Sequence, residues 1–212
     1  MSNILLLAVD IEKCGSNLIA HPVISVGFCL ADAKGVVLEK KKINFEVNWW
    51  ECNEEGVVTT YGDFEERCCV EFWSKQPSNI IEACKCNPAP LPVAKAWAEV
   101  RSYIDHLEVR FPGHKIKFLS DNASFDVATI DYGLELYTGR VPMRYTTTGN
   151  YRSVVAADDM FDMLPKDVQK QAMKEIDGVV QHDHDPVNDA HHILLQFVKA
   201  VEYRQTLIQT NH

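Results

Sequence analysis

Three separate stretches of the chain carry acidic residues whose types and spacing suit metal-assisted hydrolysis. Asp10 and Glu12 close the run Leu5-Leu6-Leu7-Ala8-Val9-Asp10-Ile11-Glu12, Asp126 ends Asp121-Asn122-Ala123-Ser124-Phe125-Asp126, and His184 leads into Asp189 through Asp185-Pro186-Val187-Asn188. An apolar run of this kind reads as a buried strand, and two carboxylates spaced i, i+2 at its end share one face. Carboxylates held that close repel each other unless a cation lies between them. Hard divalent ions take oxygen ligands, and two such ions about 3.5–4 Å apart stabilise the attacking and leaving oxygens of a phosphodiester under hydrolysis. A histidine titrating near neutrality can take the proton from the attacking water. Each segment alone has a plainer reading, as a turn acid, a helix-start acid or a surface pair. Their joint occurrence in this order favours the metal centre.

The elements that must position these residues are legible from periodicity. Residues 4 to 9 and Val23 to Leu30 read as strands, separated by the polar turn Lys13-Cys14-Gly15-Ser16-Asn17. Ala31-Asp32-Ala33-Lys34-Gly35 turns the chain into a third strand, Val36 to Leu38 and then alternating Ile43, Phe45 and Val47. Together they predict an antiparallel meander. From about residue 48 to 92 the pattern is irregular, with Trp49, Trp50, Phe72 and Trp73 among polar residues and a short helix expected near Phe64 to Lys75. We read that stretch as an aromatic and Cys-rich insertion in a single domain spanning 1–212. Val93, Trp97, Val100, Ile104 and Leu107 fall at helical spacing, and Phe111-Pro112-Gly113 ends the helix. A fourth strand is expected at Ile116 to Leu119, then helices from Ser124 to about Tyr137, Val155 to Met163, Asp167 to Glu175 and about Asn188 to Ile208. Asp126 then sits in a helical first turn, where unpaired amides favour a carboxylate.

Composition narrows the classes. At 212 residues the chain can bury one good core, and it has no apolar run of the length that spans a bilayer. The Ile4 to Val9 stretch is short and lacks a basic flank, so no signal peptide is expected and the protein should be soluble, intracellular and cytoplasmic. Seven cysteines, an odd number, suit free thiols in a reducing compartment, with Cys14 and Cys29 as small core residues. Cys52, Cys68, Cys69, Cys84 and Cys86 invite a zinc reading, but their Cys-Cys and Cys-x-Cys spacings are not those of structural zinc sites. A net charge of −9 argues against a broad basic surface for duplex binding. No Gly-rich phosphate loop and no nucleophile elbow are present.

The three segments resemble the DEDDh exonucleases, a branch of the ribonuclease H-like superfamily. Asp10-Ile11-Glu12 matches its Asp-x-Glu motif, Asn122-Ala123-Ser124-Phe125-Asp126 its second motif, and His184 to Asp189 its His-x4-Asp motif. The likeness runs from residue 4 to about 200. Phe72-Trp73-Ser74-Lys75-Gln76 is similar to a segment of a small exoribonuclease subgroup. The resemblance implies a mixed five-stranded α/β sheet, an antiparallel meander followed by parallel strands, flanked by helices. It implies that Asp10, Glu12, Asp126 and Asp189 bind two Mg2+ or Mn2+ ions, with His184 as general base. The reaction implied is release of nucleoside 5′-monophosphates from the free 3′ end of single-stranded or short nucleic acid, RNA before DNA. On the substrate side Lys13, Cys14, Asn122 and Phe125 match the motif surroundings. Lys13 and Cys14 stand where many relatives have small hydroxyl residues, and Asp121 where a histidine or small residue often precedes the asparagine. Relatives are often homodimers, and the aromatic stretch at 49–73 offers an interface for one.

Other assignments compete. A non-catalytic nucleic-acid- or protein-binding module with the same fold would have no physical need to keep converging acids together. His182, His191 and His192 are alternatives for the base, and Asp183 and Asp185 flank His184. Stacking surfaces for single strands are sought among Phe28, Trp49, Trp50, Tyr61, Trp73 and Tyr151, and phosphate contacts among Arg140, Arg144 and Arg152.

Overall fold

In the computed structural model, which describes residues 4–122, 124–139 and 154–210, β1 (Ile4–Lys13) lies near the middle of the sheet. It pairs antiparallel with β2 (Val23–Asp32), and β2 with β3 (Val37–Asn44), which is the expected meander. The turn between them is built on Asp32, whose carboxylate accepts the Lys34 and Val36 N–H groups. Gly35 completes it in the left-handed region, φ 82°.

The insertion begins after β3. It holds a small hairpin, β4 (Glu51–Cys52) and β5 (Val58–Thr60), then α1 (Glu66–Glu71), a 3-10 turn at Trp73–Lys75, and α2 (Ser78–Cys86). The single helix expected near Phe64 to Lys75 is therefore broken at Phe72, and α2 is an element that periodicity missed. Its aromatics turn inward: Phe64 and Trp73 are buried with Cys14, Ile24, Cys69 and Cys84, and Trp49, Trp50 and Tyr61 pack half-buried against them. Much of the aromatic surface of this stretch is thus used in the insertion's own packing.

After it come α3 (Val93–Arg110), β6 (Lys115–Ser120), α4 (Asp126–Thr138), β7 (Val154–Ala156), α5 (Ala157–Asp162), α6 (Lys166–Asp177) and α7 (Pro186–Thr210). β6 runs parallel to β1, and the strand order is β3-β2-β1-β6-β7. The five full strands implied by the resemblance are here four, with only three residues, β7, paired in parallel at the β6 edge. The helix expected from Val155 starts instead at Ala157, just after that strand. Among the described residues no helix is long and apolar enough to cross a membrane.

The sheet is covered on both faces, and the alternation of β1 sorts its side chains between them. Leu5, Leu7, Val9 and Ile11 pack with Trp97, Val100 and Ile104 of α3 and Val127, Ile130 and Leu134 of α4. Leu6 and Ala8 pack with Cys29, Ala31 and, from α7, Ala190, Ile193 and Leu194. Burying Ile193 and Leu194 contributes about 1.5–3 kcal/mol each, which seats α7 on this face. Continuing the even positions, Asp10 and Glu12 emerge on the α7 side.

Candidate active site

The even-numbered face of β1 ends in Asp10 and Glu12, each 9 % exposed, directly beneath the start of α7. Asp189 lies in the first turn of α7, one helical turn before Ile193, so the same face that packs on the sheet brings its carboxylate to the strand end. Asp126 arrives from the other side. Ser120, the last residue of β6, donates its hydroxyl to Asp126 Oδ2 at 2.5 Å, and the Phe125 and Asp126 N–H groups donate to Asn122 O. α4 therefore starts at Asp126 and not at Ser124, because the Asn122 carbonyl takes the Phe125 and Asp126 N–H groups just before the helix.

Ligand atoms of Asp10, Glu12 and Asp189 lie within 4.8 Å of one another, and so do those of Asp10, Asp121 and Asp126. Asp10 is shared by both sets. One of its oxygens, Oδ2, is buried without a hydrogen-bond partner. Burial, and then the neighbouring carboxylates, hold Asp10 and Glu12 well above the usual carboxylate range. Burial pushes Asp126 up to about 8 and Asp189 up to about 6. Such a donor set is starved of positive charge and offers hard oxygens alone, which suits a divalent cation.

His184 takes an unusual backbone conformation, φ 62°, in the left-handed region. That twist points the Asp183 and His184 N–H groups at the two oxygens of Asp189, 3.0 and 3.1 Å away. The His184 ring meets the Phe72 ring edge-on at 4.7 Å, and its Nδ1 lies 3.8 Å from Glu12 Oε1. Burial and then His182 lower the His184 pKa, which favours the uncharged imidazole. His182 Nε2 stands 3.4 Å from Asp189 Oδ2 but is 53 % exposed, and His182, His184 and Asp189 form a third set with metal-ligating reach. His191 and His192 are buried on α7, His192 facing Asp177 at 3.5 Å.

Two residues that sequence reasoning passed over hold this arrangement. Gly27 is the register partner of Asp10, and Lys42 the partner of Gly27, so the three form a row across the sheet on the α7 side. A Cβ on Gly27 would stand 2.1 Å from the Pro186 carbonyl carbon and oxygen, so α7 begins directly on bare backbone. Lys42, nearly buried, donates to Asp185 Oδ2 at 2.9 Å and pins the His184 turn from the far side. A glycine inside a strand pattern does signal close backbone approach, and Gly27 carried that signal.

The expected substrate residues separate. Phe125 is half-buried and Asn122 exposed, beside Asp126. Lys13 is spent on the turn that follows β1: its Nζ donates to Leu18 O at 3.0 Å and lies 5.7 Å from the Phe125 ring centre. Cys14 leaves the substrate set, because its thiol has no exposed surface and packs against Trp73 and Phe64. Phe28 and Trp73 are core residues, Trp73 donating its indole N–H to Lys13 O. Tyr151, Arg140, Arg144 and Arg152, like Ala123, lie outside the described residues. No set of metal-ligating reach among the described residues includes a cysteine, so the zinc reading gains nothing.

With this geometry in view, comparison with known proteins is informative. A family model described as the 3'-5' exoribonuclease Rv2179c-like domain matches residues 6–201. The chain belongs to that family. Its fold is also that of Escherichia coli exonuclease I, as a complex with a dT13 oligonucleotide shows: TM-score 0.62 at 13% identity, over 100% of this chain and 43% of that one. The zinc-bound exonuclease I–ssDNA complex superposes with TM-score 0.60 at 14% identity, over 95% and 41% of the two chains. The chain thus spans less than half the length of those exonuclease I chains. No curated protein matches its sequence significantly.

Proposed function

We propose that this protein is a metal-dependent 3′-5′ exonuclease of the DEDDh type, acting on single-stranded or short nucleic acid with a free 3′ end and taking RNA before DNA. The observation that carries the reading is the convergence of Asp10, Glu12, Asp126 and Asp189 from three segments into two ligand sets that share Asp10. Membership of a family described by exoribonuclease activity supports RNA. The oligonucleotide complexes of exonuclease I support a single-stranded substrate.

In this reading Asp10, Glu12 and Asp189 would hold one divalent cation, and Asp10 and Asp126 a second. Mg2+ or Mn2+ there would supply Lewis acidity for hydrolysis of the scissile phosphodiester. Bound cations also offset the −9 charge of the chain where a phosphate must approach. His184, its pKa lowered by burial, takes a proton from the attacking water on a ring nitrogen, and Phe72 packs edge-on against its ring. The products are a nucleoside 5′-monophosphate and a chain one nucleotide shorter.

The test is a time course on matched 5′-labelled single-stranded RNA and DNA, with Mn2+, with EDTA, and with the Asp10→Ala protein. A ladder shrinking from the 3′ end, faster on RNA and lost with EDTA or in the variant, is the expected result. Intact oligonucleotides that remain bound to the protein would replace the enzyme by a non-catalytic nucleic-acid-binding module.

A further inference from the structure

The residue before Asn122 is an acid inside ligand reach of two others. Asp121 follows directly on β6, half-exposed, and its ligand oxygen lies within 4.8 Å of those of Asp10 and Asp126. Three carboxylates that close have no lysine or arginine ion-paired with them among the described residues. Independently of that clustering, Asp10 is only 9 % exposed and its Oδ2 is buried with no hydrogen-bond partner. A buried carboxylate oxygen without a donor costs free energy that a cation would recover.

We propose that Asp121 is a further carboxylate ligand of the second cation position, so that Asp10, Asp121 and Asp126 hold one divalent ion while Asp10, Glu12 and Asp189 hold the other. The inference rests on the metal-centre reading above and deepens it. A position served by Asp10 and Asp126 alone leaves most of the coordination to water and substrate; a third carboxylate makes it a site that fills before substrate arrives. The consequence is a centre that needs less free Mn2+ or Mg2+ for its second ion.

Asp121→Asn isolates the effect. It removes the charge but keeps an Oδ1 that can accept the Asn122 N–H, now bonded at 2.6 Å, so the turn into α4 stays supported. Metal-free wild type, Asp121→Asn and Asp189→Asn would be titrated with Mn2+ by calorimetry, with bound Mn2+ counted by electron paramagnetic resonance. The expected result is two Mn2+ per wild-type chain. Asp121→Asn should weaken one of them by about 10–100-fold and spare the other, which Asp189→Asn weakens instead. Isotherms that coincide for wild type and Asp121→Asn would overturn the proposal. Because the readout is binding, the two readings fail separately: a protein that cleaves no oligonucleotide yet loses one Mn2+ site in Asp121→Asn would sink the exonuclease and keep this ligand. An active nuclease indifferent to Asp121→Asn would do the reverse.

Discussion

Gly27→Ala is the change that best tests how the fold builds the proposed metal centre. The added methyl would lie 2.1 Å from the carbonyl carbon and oxygen of Pro186 and 2.5 Å from the Val187 nitrogen, all of them backbone atoms with no rotamer to escape into. Ordinary carbon contacts need about 3.4 Å or more, so the start of α7 must withdraw by about 1.3 Å. Asp189 rides on that first turn, its N–H bonded to Asp185 O at 2.9 Å, and must move with it. Ligand distances at a metal tolerate deviations of only about 0.2 Å. The set formed by Asp10, Glu12 and Asp189 therefore opens beyond what one cation can bridge. Overpacking of this kind costs about 1–3 kcal/mol, so the variant should still fold. A displacement of about 1 Å at the reacting centre should slow hydrolysis about 10²-fold. The assay pairs the Mn2+-dependent rise in Tm with the single-turnover rate on a short RNA. Gly178→Ala serves as control, since its methyl meets nothing nearer than Glu175 O at 3.3 Å and Lys174 O at 3.5 Å. A Gly27→Ala protein with wild-type Mn2+ stabilisation and wild-type rate would refute the argument that the bare strand seats α7.

The remaining predictions concern charge and the His184 turn. For the metal-free protein, carboxyl groups raised in the folded state bind more protons than in the unfolded chain, so stability is greatest below the unfolded values near pH 4 and falls as pH rises through the folded ones, about 6 for Asp189 and about 8 for Asp126. Its Tm should be higher at about pH 5.5 than at about pH 8.5, and saturating Mn2+ should reverse that order; a metal-free Tm that climbs with pH across this window would contradict the raised values. His184→Asn keeps a residue that tolerates the left-handed backbone but removes the proposed base. It should slow the chemical step by about 10²–10⁴-fold while Mn2+ affinity holds, and an unchanged rate would hand the proton transfer to His182. Lys42→Met leaves Asp185 without its partner and should cost about 1–3 kcal/mol in urea unfolding, with a slower single-turnover rate as the His184 turn loosens. Wild-type stability and rate in that variant would show the ion pair to be idle.

Much of this molecule was already decided along the chain. The alternation of β1 places Asp10 and Glu12 on one face without reference to any other element, because side-chain direction in a strand has period two. The spacing from His184 to Asp189 at the head of an amphipathic helix is equally local, and so is the meander, since the Asp32 to Gly35 turn writes its own hydrogen bonds. What distance along the chain hides is which groups meet. Whether Cys14 faces substrate or core depended on the insertion folding Trp73 and Phe64 over it, a choice made by burial of aromatic surface and not by the turn that contains it. The break at Phe72 and the extra helix α2 have the same origin, tertiary packing overriding a weak local pattern. Asp121, Gly27 and Lys42 acquire meaning only when β6, β2 and β3 line up beside β1. Charge repulsion and steric approach act through space, and only the folded sheet sets those distances.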